Sequence, residues 1–317
     1  MSSVAIILLN WNGYGDTIEC LESLKGVNYD DFTVYLVDND SGDDSVEKIT
    51  EYLDRDKFYE YDILSRLNLD SYHKKSNINL VLILNDSNNG FAGGNNVALK
   101  YIMDNDVCDY VLLLNNDTIV SEDFITDLED EFVEEEETGF VGITHYYYDT
   151  HEIQTIGSGL VDTKHGEATA ILEDTGLEPD FITGSCIFTS RDVLIDVGLI
   201  YEDYFLYWED VDWSTTAKNK GYMHKTSSKG YICHKEGASI ESLNRIYYHT
   251  RNRIVYMKRH AKTSTYYHFL VYIILYVMKE ITFNLGRTSH NKIMIKALIH
   301  GIMKASKTRQ LKWGQKR

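Results

Sequence analysis

The chain has 317 residues, 43% hydrophobic and 25% charged, which is enough for one large or two ordinary domains with a substantial core. Its formal net charge of −18 argues against nucleic acid as a partner of the whole chain. That charge is unevenly spread: residues 245–317 hold sixteen Lys and Arg against a single acid, Glu280, and residues 1–244 hold the remaining fifteen bases and forty-eight acids.

The opening "MSSVAIILLNWNG" has no basic segment ahead of a short apolar run. It reads as a first strand rather than a secretory leader. Continuous apolar runs over residues 4–9, 33–38, 79–84 and 110–114 have strand length. Apolar at every position rather than every second one, they suit strands covered on both faces. Helix-like stretches at 16–25, 45–53 and 95–103 lie between them. Alternation of this kind predicts a doubly wound α/β domain with a mostly parallel sheet. The polar, Tyr-rich residues 54–78 interrupt the rhythm and read as a surface insertion with no assigned role. Residues 131–137, "EFVEEEE", read as the solvated end of a helix. Cys20, Cys108, Cys186 and Cys233 lack metal-ligand or redox spacing and read as small core residues of a reducing cytosol. Beyond residue 140 the spacing predicts a strand followed by a short helix from Arg191. It then predicts a helix ending at Gly221, a short strand "YICHKEG" running into His234, and mostly helix from residue 242 onward.

Ligands of open α/β sheets sit beyond the carboxyl ends of the strands. Here all four such ends are rich in Asn, Asp or Gly. The first leads into Asn10-Trp11-Asn12-Gly13 and the second into Asp38-Asn39-Asp40-Ser41-Gly42. The third leads into "NDSNNGFAGGNN", and the fourth into Asn115-Asn116-Asp117-Thr118. The Gly-rich loop lets backbone approach a diphosphate, but neither G-x-G-x-x-G nor G-x-x-x-x-G-K-[ST] occurs. Asp117 fits two roles: a turn or cap residue ahead of Ser121-Glu122-Asp123, or a carboxylate ligand for a hard divalent cation on a nucleotide diphosphate. In "YWEDVDW", Glu209, Asp210 and Asp212 lie among Tyr207, Trp208, Val211 and Trp213. They are either acids favoured by a helix start or a carboxylate desolvated by aromatic walls and raised in pKa.

The ordered series "LLNWNG", "VDNDSGDDS", "NNGFAGGNN", "LLLNNDT", "ITGSCIFTSRDVLIDVG", "YFLYWEDVDW", "GYICHKEG" and "YYHTRNRIVYMKRH", spread over residues 4–260, resembles family 2 glycosyltransferases of the GT-A fold. The likeness points to the branch that contains rhamnosyltransferases of cell-surface polysaccharide synthesis. It implies a GT-A fold over residues 1–244 with a basic helical extension over residues 245–317. It implies that Asp38, with Asn10 and Asn12, meets the base and ribose of a nucleotide. Asn89, Gly90, Phe91, Asn95 and Asn96 would run along ribose and diphosphate. Asn116 and Asp117 stand at the family's metal-binding acidic motif, reduced here to one acid, and His234 matches the histidine that often completes the site around Mg2+ or Mn2+. Asp210 becomes the general base, with Glu209 as runner-up. Residues 183–185, "TGS", resemble the acceptor-side loop. Where many relatives carry an arginine after the acidic motif, this chain has Thr216, with Lys218 close by.

Arg251, Asn252 and Arg253 match a basic element of the family that meets either the diphosphate or a membrane. The apolar run 268–278 is too short for a span, which needs about 20 residues. With its aromatic and basic flanks it suits an interfacial helix. The basic amphipathic remainder favours an anionic membrane surface or packs as a cap on the acidic body. The expectation is an inverting, metal-dependent transferase, peripheral at the inner, cytoplasmic face of the cell membrane. It would move a sugar, rhamnose first, from a nucleotide-diphosphate donor to a hydroxyl of a glycan or lipid-linked saccharide; a homo-oligomer is open. Galactofuranosyl, mannosyl or glucosyl transfer, or a non-catalytic glycan-binding or membrane scaffold, are the alternatives. A sugar nucleotidyltransferase would need basic residues in its first loop, which "LLNWNGYGD" lacks.

Overall fold

The computed structural model describes residues 2–105, 108–133, 137–235 and 243–308. The first part alternates as expected: β1 (Val4–Asn10), α1 (Tyr14–Leu24), β2 (Phe32–Asp38), α2 (Ser45–Arg55), β3 (Tyr61–Ser65), β4 (Leu80–Leu84), α3 (Gly90–Asn105) and β5 (Tyr110–Asn115). There follow β6 (Thr118–Val120), α4 (Phe124–Val133), β7 (Thr138–Tyr147), β8 (Ile153–Thr155), β9 (Ser158–Asp162), β10 (Glu167–Ala170), β11 (Phe181–Ile182), β12 (Cys186–Ser190) and α5 (Arg191–Val197). The chain continues through α6 (Glu209–Lys220), β13 (Met223–His234), α7 (Leu243–His260), α8 (Thr263–Phe283) and α9 (Thr288–Lys307).

The central sheet runs β3-β4-β2-β1-β5-β12-β7-β13-β6, with β8 on β7. Strands β1 to β5 pair parallel, as do β7 and β13, whereas β12 and β6 run antiparallel to their neighbours. The continuous apolar runs are explained by burial on both faces. Ala5 and Ile7 of β1 and Val111 and Leu113 of β5 join the core under α3. The intervening Val4, Ile6, Leu8, Leu112 and Leu114 join the core under α1 and α2. Each such Val, Leu or Ile contributes about 1.5–3 kcal/mol by leaving water, so a slip of one residue in β1 would swap both sets at once. The four cysteines are buried and not joined in disulfides, as expected of core residues.

Three expectations need correction. Residues 54–78 are not only an insertion: β3 lies within them and extends the sheet by one edge strand beside β4. Alternation there is weak because β3 is half exposed. The helix expected from residue 95 begins at Gly90, so Asn95 and Asn96 lie in its body. The strand into His234 is twelve residues long, from Met223, with register shifts between Met223 and His224 and between Ser227 and Tyr231. These irregularities and its glycine hide it from a periodicity reading. Of "EFVEEEE", α4 ends at Val133, and residues 134–136 lie outside the described residues. The "EG" after Lys235 and the expected helix start at residue 242 also lie outside them.

The basic C-terminal helices pack on the rest. A third core joins Ile254, Val255, Tyr256 and Met257 of α7 and Phe269 and Ile273 of α8 to Tyr204, Trp208 and Val211. Among the described residues, no helix is long and apolar enough to cross a membrane.

Candidate active site

The carboxyl ends of β1 and β2 lie in register, Asn10 opposite Asp38. Asn10 Nδ2 donates to Asp38 Oδ1 at 2.8 Å and to Ser41 Oγ at 3.1 Å. Its Oδ1 accepts from Thr17 Oγ1 at 2.8 Å, and Asn116 Nδ2 donates to the same Thr17 oxygen at 2.8 Å. Ser41 donates from N and Oγ to the two oxygens of Asp38. Asn12, at φ 53°, accepts from Gly42 N through Oδ1 at 2.8 Å. Three of the expected nucleotide residues, Asn10, Asp38 and Asn116, thus share one hydrogen-bonded network, with Asn12 on its rim through Ser41.

At the end of β5 the chain turns through Asn116 and Asp117 into β6. Antiparallel pairing of β6 with β13 puts Thr118 opposite His234. This register brings His234 Nε2 to 3.2 Å from Asp117 Oδ1. His234 Nδ1 lies 3.0 Å from the acceptor Gln154 Oε1 of β8. With Nδ1–H donated to that oxygen, Nε2 faces the carboxylate either as an N–H that donates to Asp117 or, without that proton, as a lone pair that needs a cation between the two acceptors. Asp117 Oδ1 is buried without a hydrogen-bond partner. Burial pushes the Asp117 carboxyl up, but His234 outweighs it and holds it below the ordinary value. The described residues contain no group of three or more His, Cys, Asp or Glu able to hold a metal ion. Two protein ligands are nonetheless enough for Mg2+, which takes the rest of its shell from phosphate and water.

Glu209 and Asp210 open α6. Gly184 N donates to Asp210 Oδ2 at 3.0 Å and Val211 N to Oδ1 at 2.8 Å. A Cβ at Gly184 would stand 3.4 Å from that of Asp210, an ordinary contact, so the approach does not depend on glycine. Burial pushes the Asp210 carboxyl above its ordinary value despite these N–H donors. Glu209 is 5% exposed with Oε2 unpartnered, and burial followed by the charge of Asp210 pushes it up as well. Asp210 is partly exposed, Glu209 buried. Contacts join the two acidic sites. His234 and His145 rings lie 6.2 Å apart, His145 Nε2 is 2.8 Å from Ser185 Oγ, and Ser185 is next to Gly184. Asn115 N also donates to Ser185 O. Asp117 and Asp210 therefore stand on one continuous edge.

The segment before Asp210 is strained. Phe205, Tyr207 and Trp208 have φ of 68°, 66° and 79°, a region that side chains other than glycine enter at a cost. Helix α7 holds it. Asn252 Nδ2 donates to the carbonyls of Tyr204, Leu206 and Tyr207 at 3.1, 2.8 and 2.7 Å, and Arg251 Nη2 to those of Asp203 and Tyr204. Phe205 stacks on Tyr248 and Tyr207 on His249. Arg253 meets His165 O and Glu167. The expectation that Arg251–Arg253 face a diphosphate or a membrane is thus corrected for Asn252 and Arg253, which are engaged within the fold.

Asp212, two residues on, is fully buried. It takes Tyr204 Oη at 2.8 Å, Arg259 Nε at 2.6 Å and His260 Nε2 at 2.5 Å on one oxygen, and Arg259 Nη2 at 3.1 Å on the other. Burial alone would raise its carboxyl; His260 and Arg259 reverse that and bring it down to about 2. At the position where relatives carry an arginine, Thr216 Oγ1 donates to Asp212 O at 2.8 Å, and the nearby Lys218 pairs with Glu178 and Asp180.

Gly90 and Phe91 meet the same segment, while Asn89 donates from N to Asn39 Oδ1 at 3.2 Å and from Nδ2 to Ser87 O at 2.9 Å. Phe91 N donates to Phe205 O at 2.7 Å, and Gly90, at φ 69°, leaves no room for a Cβ beside that oxygen. Asn95 and Asn96 serve otherwise. Asn95 Nδ2 bonds Phe91 O within its own helix, while Asn96 bonds Ile200 in both directions and Glu202. Thr17, His145 and Gln154 support the site and were missed. Sequence reasoning reaches Ser185 only as part of the "TGS" loop, and Asp212 and Asn252 without the supporting contacts that the structure gives them.

The sequence pattern described as Glycosyl transferase family 2 matches residues 3–198. A low-salt glycan biosynthesis hexosyltransferase of Haloferax volcanii, Agl10, is 23% identical over 177 residues; the match takes in 53% of this chain and 57% of that protein, so the chain spans little over half the length of this curated relative. A mannosyltransferase from Pyrobaculum calidifontis, solved with GDP-Man and Mn2+, superposes at a TM-score of 0.57 with 13% identity, over 96% of this chain and 87% of that one. GalNAc-T7, solved with UDP, GalNAc and Mn2+, superposes at 0.63 with 12% identity, over 96% and 58%. These likenesses establish a GT-A-like fold, a large mostly parallel sheet flanked by helices. With well over half of its length matched by the family pattern, the chain belongs to glycosyl transferase family 2.

Proposed function

We propose that the protein transfers a hexose, rhamnose first and mannose, galactofuranose or glucose next, with inversion. The donor is a nucleoside diphosphate sugar, and the acceptor a hydroxyl of a glycan or lipid-linked saccharide at the inner face of the cell membrane. The observation that carries this reading is the single polar edge on which Asp117, paired with His234, and Asp210, raised and partly exposed, are joined through Ser185 and Gly184. The Asn10–Asp38–Ser41 network offers a preorganised rim for base and ribose. Asp117 and His234 would hold Mg2+ or Mn2+. When bound, such an ion supplies positive charge to the diphosphate as the anomeric C–O bond breaks. The transition state is oxocarbenium-like. Asp210 takes the acceptor hydroxyl proton, and its raised pKa makes it a better base than an ordinary carboxylate. Glu209 lies buried beside it in the first turn of α6. Inversion follows from one base acting in one displacement.

The test is a panel of nucleotide sugars incubated with Mn2+ or Mg2+, reading nucleoside diphosphate release and the anomeric configuration of the product by NMR. Turnover of one donor, inverted and stopped by a chelator, is expected. No turnover of any donor with either metal would refute the reading.

A further inference from the structure

The C-terminal helices contain a cavity of about 440 Å³ between α7 and α9, lined by Asp203, Tyr247, Arg251, His300, Lys304 and Lys307, with Met303 at its edge. Three permanent cations thus face one carboxylate, and that one, Asp203, is already paired with Lys304 at 2.7 Å. Tyr247 Oη and His300 Nδ1 lie 2.7 Å apart and add two hydrogen-bonding groups. Arg251 and Lys296 lie over the Tyr247 ring, at 5.7 and 5.8 Å from its centroid. The surplus of positive charge in a concave, hydrogen-bonding wall matches a phosphate group, which accepts charge-assisted bonds from Lys and Arg.

The surroundings select the kind of phosphate. Met303 also ends an exposed apolar stripe on α9, with Ile295, Ile299 and Ile302 at helical spacing. The opposite face of that helix, Met294, Ala297, Gly301 and Ala305, is the buried one. A soluble polyanion would leave this stripe in water and meet the strongly acidic body. A lipid surface touches only the basic tail and covers the stripe. We propose that the cavity holds the phosphate of an anionic membrane lipid while the α9 stripe, Ile295 to Met303, lies on the hydrocarbon boundary. Arg251 lines the cavity and also donates to the carbonyls of Asp203 and Tyr204, so the lipid site shares a residue with the segment leading to Asp210. The proposal deepens the membrane side of the proposed function and rests on it only for why a lipid surface is met.

The experiment is sedimentation of the full chain with phosphatidylglycerol and with phosphatidylcholine vesicles, without donor or acceptor. The wild type is compared with Lys304→Gln/Lys307→Gln and with Lys57→Gln/Lys75→Gln, an equal charge change at exposed lysines elsewhere. The expected result is binding to phosphatidylglycerol alone, weakened about tenfold or more by the first pair and under about threefold by the second, and not displaced by millimolar inorganic phosphate. Equal weakening by both pairs, or no vesicle binding, would overturn the proposal; displacement by phosphate would assign the cavity to a free anion instead. Acetylation of the unaltered protein gives an answer independent of folding. Vesicles should shield Lys304 and Lys307 and leave Lys57 and Lys75 reactive; equal labelling of all four would overturn it. Transfer activity is not part of either readout, so failure here leaves the transferase reading standing.

Discussion

The two halves of the polar edge are held in opposite ways. At the ends of β1 and β2 the polar side chains satisfy one another: Asn10, Thr17, Asp38, Ser41 and Asn116 close a network that needs nothing from the rest of the chain. At the start of α6 the arrangement is imposed from outside. Three non-glycine residues sit at positive φ, Glu209 keeps an unpartnered oxygen, and the restraint comes from α7, some forty-five residues later. A self-satisfied network is a rigid seat; a strained, desolvated segment under external restraint keeps a carboxylate reactive. The basic tail is therefore part of what shapes the acidic site, whatever it also does at a membrane.

Breaking the external restraint should hurt more than its surface position suggests. Asp212→Asn leaves Arg259 and His260 beside a neutral amide in a buried site. It is expected to lower unfolding free energy by about 3–5 kcal/mol, measured by urea denaturation. The pH dependence sharpens the point. The Asp212 carboxyl is lowered in the folded state from 3.8 to about 2, so the folded state binds fewer protons in that window. Its contribution is present above pH 3.8 and is lost as the pH falls from 3.8 through about 2. The acid limb of the wild-type stability curve should flatten in Asp212→Asn; an unchanged limb would show that the pairing is not what holds α7 to α6.

A smaller effect is expected from Asn252→Ala. It removes the donors to three carbonyls and should cost about 1–3 kcal/mol of stability. Transfer should fall about 100-fold, since a displacement near 1 Å at Asp210 is enough for that. Donor affinity, set by the β1–β2 rim, should hardly change. Equal loss of donor affinity and rate would mean that the two halves are not separately held.

How much of this was legible in the sequence follows the same division. The β1–β5 half, β3 excepted, was legible because β1, β2, β4 and β5 are buried on both faces and each ends in a polar cluster, so composition and position coincide; β3, half exposed, has no such signal. The placement of Asp38, Asn10, Asn116 and Asp117 at one edge follows from parallel topology alone. The support of the acidic loop was not legible, because Asn252, Arg259 and His260 lie in a basic helix whose composition suggests a solvated or membrane-facing surface. The partners of Asn252 are backbone carbonyls of a strained turn and those of Arg259 and His260 the buried Asp212 carboxylate, and no spacing rule announces positive φ at Phe205, Tyr207 and Trp208. Gln154, on a three-residue strand, likewise offers no pattern. Asn95 and Asn96 were set on the ligand side by the family resemblance; the helix begins at Gly90, and both side chains bond within the protein.

The most direct test of the account compares Asp210→Asn with Glu209→Gln in one transfer assay, with donor affinity measured alongside by calorimetry. Asp210→Asn is predicted to lower kcat about 10³-fold with donor affinity within about twofold of wild type, while Glu209→Gln keeps transfer within about tenfold. Wild-type rate should rise with pH above the ordinary carboxylate range, as the raised Asp210 ionises. Transfer by Asp210→Asn at wild-type rates would contradict the account.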